Sequence, residues 1–159
     1  MNWLFVDLSR IGTEGLVFVV VGLVLAIIWR RPWLLVLLLA SDFVADGLSL
    51  ALRQAIGRDR PPLVYPEPKA LVSVPQTGAF PSGHASSAFA CATVLAWASP
   101  RLRIPAFVLA AAIAWSRVYV GVHWPLDVLG GAILGVLVST VLLTLAANPP
   151  RSRRETQAG

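Results

Sequence analysis

Three short polar blocks interrupt an otherwise apolar chain: Arg53-(six residues)-Arg60-Pro61, Pro81-Ser82-Gly83-His84, and Ser116-Arg117-(five residues)-His123-(three residues)-Asp127. They hold three arginines, both histidines of the chain, and a carboxylate four residues after one of them. The planar guanidinium stays charged and donates paired hydrogen bonds, which suits it to phosphate. A histidine oriented by a carboxylate is a recurring arrangement for a nucleophile or a base. The chemistry in view is phosphoryl transfer, provided the blocks meet in space.

Pro81-Ser82-Gly83-His84 stands where a loop enters a helix. Ser82 is placed to be the N-cap, and Gly83 lets the backbone approach a ligand. Free N–H groups at a helix start attract phosphate. His84 is placed to protonate a leaving oxygen. In the third block, Pro125 suits a first helical turn. Asp127 lies one turn beyond His123, so the two can share a face. Arg53 and Arg60 are two helical turns apart and share a face if the helix continues through Ile56, with Gly57 and Pro61 working against that near its end. Taken singly, each block also has a plain structural reading: a capped helix start, an ordinary first-turn Asp, or arginines anchored at headgroups. Arg117 fits the plain reading least, because a cation in an apolar run costs a few kcal/mol unless it is partnered.

The surrounding elements are apolar. The chain has 159 residues, of which 57% are hydrophobic and 13% charged; its mean hydropathy is +0.73. Apolar runs cover 15–29, 33–52, 83–99, 104–121 and 125–147, and Ile11–Glu14 lengthen the first toward the roughly 20 residues that a span needs. No basic region precedes the first run and no cleavage site follows it, so a signal peptide fits poorly. This pattern predicts an all-α membrane helix bundle of about five transmembrane helices, organised as one domain over 1–147. Residues 1–10 suit a short interfacial helix with Trp3 and Phe5 at headgroup depth. Residues 53–81 contain six prolines and read as a loop. Residues 148–159 read as a disordered, Arg-rich cytoplasmic tail.

Five spans bring all three blocks to one membrane face. Arg30, Arg31, Arg101, Arg103, Arg151, Arg153 and Arg154 fall on one side, seven basic residues against six on the other. Setting aside Arg53, Arg60 and Arg117 as site residues makes the ratio seven to three, which puts the blocks on the outer face. The net charge of +5 does not suggest nucleic acid, because the cations lie between apolar spans. Cys91 is the only cysteine, which excludes an internal disulfide and a cysteine-based metal site. Gly131 and Gly135 have the spacing of a close helix-packing motif. Asp42 and Asp46 share a face of the second run, as partners for a site arginine, as a proton path, or facing a wet crevice between helices.

In series, the blocks resemble the type 2 phosphatidic acid phosphatase superfamily, the lipid phosphate phosphatases. That family's signature is KxxxxxxRP, then PSGH, then SRxxxxxHxxxD; here the strings are RQAIGRDRP, PSGH and SRVYVGVHWPLD. Arg53 in place of lysine is the one departure. The resemblance covers about residues 50–130, and two spans before the first block would give one fewer than the family's common six.

The resemblance implies an integral membrane hydrolase acting on a lipid phosphate or diphosphate. His123 would be the nucleophile, Asp127 its orienting carboxylate and His84 the general acid. Arg53, Arg60, Ser82, Gly83 and Arg117 would hold the phosphoryl oxygens. It implies no metal and no cofactor. The favoured substrate is a polyprenyl diphosphate such as undecaprenyl diphosphate; phosphatidate and phosphatidylglycerol phosphate are alternatives. A non-catalytic lipid-phosphate binder is the alternative of another class, and the intact His84, His123 and Asp127 speak against it. Nothing in the sequence indicates the oligomeric state. Orthovanadate, a phosphate mimic, is expected to inhibit phosphate release; a dose series that leaves the rate unchanged would contradict the phosphate-site reading.

Overall fold

The computed structural model describes residues 16–147. The expected interfacial helix at 1–10, the extension of the first run into Ile11–Glu14 and the tail from Asn148 lie outside the described residues. Five main helices follow one another: α1 (Leu16–Ile28), α2 (Pro32–Ile56), α3 (Gly83–Ala98), α4 (Arg103–Tyr119) and α5 (Pro125–Ala147). Among the described residues a single turn at Pro61–Val64 and a 3-10 turn at Pro100–Leu102 complete the regular structure. The described residues contain no strand, in keeping with the all-α expectation.

The boundaries follow local chemistry. Proline opens α2 and α5, where its missing N–H costs nothing. Gly57, at φ 62°, ends α2 in the left-handed conformation and donates its N–H to the Arg53 carbonyl at 3.0 Å. The helix therefore does not carry Arg53 and Arg60 two turns along one face, as the spacing suggested. Arg60 lies beyond the glycine turn, in extended backbone. Pro100 stops α3 at Ala98.

α3 is the axis of the bundle, packed on by α2, α4 and α5. It is built largely of Gly, Ala, Ser and Cys, and eleven of its sixteen residues are buried, so its neighbours approach from all sides. Gly131 and Gly135 of α5 meet it most closely. A Cβ at Gly131 would overlap the Ser82 carbonyl oxygen, and one at Gly135 would overlap that of Ser86. The glycine spacing therefore serves helix packing.

The exterior differs from that of a water-soluble bundle. The interior holds Ser41, Ser49, Ser86, Ser87, Ser116 and Ser139, while Leu129, Ile133, Leu137, Val141 and Leu145 form an exposed stripe along α5. Continuous apolar surface of this kind is solvated by lipid. Among the described residues three segments are long and apolar enough to cross a membrane: Pro32–Val64, Pro100–Tyr119 and Pro125–Ala147. α1, with 13 residues, and α3, with 16, are shorter.

Gly135→Ala is expected to lower stability by about 1–3 kcal/mol, because a backbone oxygen cannot move aside. Gly47, whose Cβ position is open space, provides the control: Gly47→Ala should leave thermal unfolding in detergent unchanged or raise its midpoint.

Candidate active site

The three blocks meet where α2 ends and α3 and α5 begin. Gly83 opens α3 against the end of α2. A Cβ there would lie 2.9 Å from Arg53 Nη1 and 2.8 Å from Asp46 Oδ1, so glycine is what allows this guanidinium to sit at the helix start. Arg53 Nη2 lies 3.4 Å from Asp46 Oδ1. Asp46 is thus a partner of a site arginine, one of the readings its position allowed. Asp42, one turn earlier, is half-buried.

Ser82 occupies the N-cap position, yet its hydroxyl makes no capping bond. This corrects the expectation from sequence. Its backbone does the local work: the N–H donates to the Asp127 carbonyl at 2.9 Å, and the carbonyl accepts from the Ser86 N–H at 3.0 Å. The Ser82 hydroxyl is buried without a hydrogen-bond partner. Such a group is costly unless a ligand completes it. His84, in the first turn of α3, lies within electrostatic reach of Arg117, His123, Arg53 and Arg60. Arg117 is 5% exposed, and its carbonyl accepts the N–H groups of Val122 and His123, both at 3.3 Å.

His123 precedes α5 rather than lying on it, so the shared helical face expected for His123 and Asp127 does not exist. Trp124 is the residue before the helix, Pro125 its first residue, and Asp127 its third. Asp127 Oδ2 reaches back to accept the Trp124 N–H at 2.8 Å, as an acidic residue at the third helical position does in a capping box. The same oxygen lies 3.6 Å from His123 Nδ1, with both side chains buried. That is longer than a hydrogen bond but within ion-pair range.

Arg60 Nη1 lies 3.1 Å from His123 Nε2. A guanidinium only donates, so Nε2 is the acceptor and carries the lone pair. In the neutral ring the proton then sits on Nδ1, facing Asp127. Arg60, 1% exposed, spends its other N–H groups on the protein. Nε donates to the Thr77 carbonyl at 2.9 Å, Nη1 to the Val122 carbonyl at 2.9 Å, and Nη2 to the Gly78 carbonyl at 3.0 Å and to Thr77 Oγ1 at 3.4 Å. Arg60 thus ties the segment before α3 to the segment before α5. A cavity of about 720 Å³ opens beside it, lined by Arg53, Arg58, Arg60, Gln76 and Thr77 among others. Among the described residues no three His, Cys, Asp or Glu side chains cluster as metal ligands.

Two contributors escaped the sequence reading. Arg58 Nη1 donates to Asp127 Oδ1 at 2.8 Å. Trp124 supplies its N–H to Oδ2 and its indole N–H to the Asp59 carbonyl at 2.9 Å. The Trp-Pro-Leu-Asp string carried a readable helix-start signal. Nothing local marked Arg58.

Fold and site together define a membrane-embedded helix bundle in which arginines gather beside two histidines. The chain belongs to the PAP2 superfamily, whose pattern it matches over residues 31–151. It is 33% identical over 161 residues to an undecaprenyl-diphosphatase of Sulfolobus acidocaldarius, covering 98% of this chain and 75% of that protein. It is 32% identical over 150 residues to a decaprenylphosphoryl-5-phosphoribose phosphatase of Mycobacterium tuberculosis, covering 92% and 81%. Among solved structures, a transmembrane PAP2-type phosphatidylglycerolphosphate phosphatase of Bacillus subtilis superposes with a TM-score of 0.74 at 28% identity, covering 96% of this chain and 79% of that one.

Burial holds the His123 imidazole below its ordinary range. The nearby Asp127 carboxylate opposes that shift, and the charges of Arg60 and Arg117 add to it. The neutral ring is therefore the resting form at pH 7. In a His84→Gln variant, where His123 is the only histidine, its NMR titration midpoint is expected below about 6.5. A midpoint at or above that value would mean that Asp127 outweighs burial.

Proposed function

We propose that this membrane phosphatase cleaves a lipid phosphate or diphosphate through a phosphohistidine on His123, without metal. A polyprenyl diphosphate such as undecaprenyl diphosphate is the favoured substrate. Phosphatidate and phosphatidylglycerol phosphate are the alternatives. The observation that carries this reading is the state of His123: its Nε2 lone pair points into the arginine cluster while its Nδ1 faces a buried carboxylate.

The phosphoryl group enters among Arg53, Arg60 and Arg117, with the unpartnered Ser82 hydroxyl and the Gly83 N–H as further donors. Its oxygens take over the Arg60 N–H that now caps His123 Nε2, which exposes the lone pair. Nε2 attacks the terminal phosphorus, whose bond to the bridging oxygen of the leaving lipid phosphate (in a monoester, to the lipid oxygen) breaks, and His84 donates a proton to that oxygen. The ring becomes cationic, and Asp127 stabilises it through the Nδ1 proton. Water then attacks phosphorus, His84 takes up a proton, the nitrogen–phosphorus bond breaks and phosphate leaves. Guanidinium groups neutralise the charge that metal ions balance elsewhere, and their field repels a divalent cation.

Support for a polyprenyl substrate comes from two relatives whose names specify polyprenyl phosphates. The solved neighbour is named for phosphatidylglycerolphosphate, which keeps that alternative in play. We place the chain as a multi-pass protein of the cell membrane with the site on the outer face, following the arginine asymmetry of the loops. The test is phosphate release by the purified protein in detergent with EDTA, from farnesyl diphosphate, undecaprenyl diphosphate, phosphatidate and phosphatidylglycerol phosphate. Turnover should persist in EDTA, fall by at least about 1,000-fold in His123→Ala, and be fastest with a polyprenyl diphosphate. An acid-labile, base-stable phosphoenzyme should be trapped in the wild type alone. Binding without release from any substrate would favour the non-catalytic reading.

A further inference from the structure

The Asp127 carboxylate is held from two directions. Trp124 N–H fastens Oδ2 and Arg58 Nη1 fastens Oδ1, each at 2.8 Å, and Oδ2 then faces His123 Nδ1. Rotation of the carboxylate would break both bonds. Charge leads to the same residue. While His123 is neutral, it gives this fully buried carboxylate no counter-charge, and a buried charge needs one. Arg58 supplies it.

Arg58 is itself fixed at both ends. It follows the left-handed Gly57, and its carbonyl accepts the Ala79 N–H at 2.8 Å. Its guanidinium lies 5.8 Å from the centre of the Trp124 ring, within the range of a cation–π contact. Tyr65 packs edge-on against that ring at 6.1 Å, and the indole N–H holds the Asp59 carbonyl. The turn after α2 and the turn before α5 thus form one clamp around the carboxylate.

We propose that Arg58 is a positioning residue for the reaction. It acts through Asp127, keeping Oδ2 aimed at His123 Nδ1, and does not itself grip the phosphoryl group. It occupies an unspecified position of the first block, between Arg53 and Arg60. The inference rests on the histidine mechanism proposed above.

The test is a double-mutant cycle on phosphate release in detergent, with the best substrate of the panel and four proteins: wild type, Arg58→Gln, Asp127→Asn and the double variant. Arg58→Gln is expected to lower kcat on the order of 10- to 100-fold, the worth of a hydrogen bond to a charged group, with KM changed less than about two-fold. Arg58→Lys should restore part of the loss. In the Asp127→Asn background, Arg58→Gln should cost less than about two-fold, because its target is already altered. An unchanged kcat, a loss carried by KM, or the full loss repeated in the double variant would each overturn the proposal. If Arg58→Gln does not fold, the same cycle is run with Arg58→Lys, whose smaller loss in kcat must likewise vanish beside Asp127→Asn. A wild type that releases no phosphate defeats the phosphatase reading, and this inference with it. A working wild type with an additive Arg58 effect defeats this inference alone.

Discussion

A carboxylate shut off from solvent, Asp127, is the point on which the rest of the structure depends. Its side chain binds Arg58 of the first block and the Trp124 N–H of its own, and its carbonyl accepts the Ser82 N–H of the second. One residue thus joins all three polar blocks. A buried charge with a missing partner is strongly destabilising, whereas a well-partnered one can specify a single arrangement. The segments that satisfy Asp127 are those that bring the arginines and histidines together.

Small residues set the distances over which this works. α3 is built largely of Gly, Ala, Ser and Cys, and α5 meets it with Gly131 and Gly135. Backbone approaches backbone, so the starts of the two helices, which carry His84 and Asp127, lie side by side. Gly83 extends the principle to α2 by leaving room for Arg53. Lipid provides no hydrophobic force between helices, so close packing and polar contacts must hold the bundle. Here the close packing also sets the start of α3 against the start of α5.

Arg60 combines two duties that usually fall to separate residues. Its hydrogen bonds to Thr77, Gly78 and Val122 hold two loops together, and its remaining N–H covers the His123 lone pair. The loop contacts keep the guanidinium in place while that last contact is exchanged for a phosphoryl oxygen. Preorganisation of this kind lets charge stabilisation act without rearrangement during the reaction.

Hydropathy and proline placement are local properties, so the sequence alone marked the described helices to within a few residues, along with the membrane setting and the role of Gly131 and Gly135. The spacing of the three blocks made Arg53, Arg60, Ser82, Gly83, His84, Arg117, His123 and Asp127 legible as one candidate site. What each group touches was not legible. Gly57 ends α2 before Arg60, Ser82 caps nothing with its hydroxyl, and His123 stands ahead of α5 instead of on it. Arg58 reaches a partner 69 residues away, and no period or motif encodes a contact of that separation. Helices form where neighbours along the chain agree. The partners of a buried charge are chosen by whatever the packed helices bring within reach, and only the tertiary structure decides that.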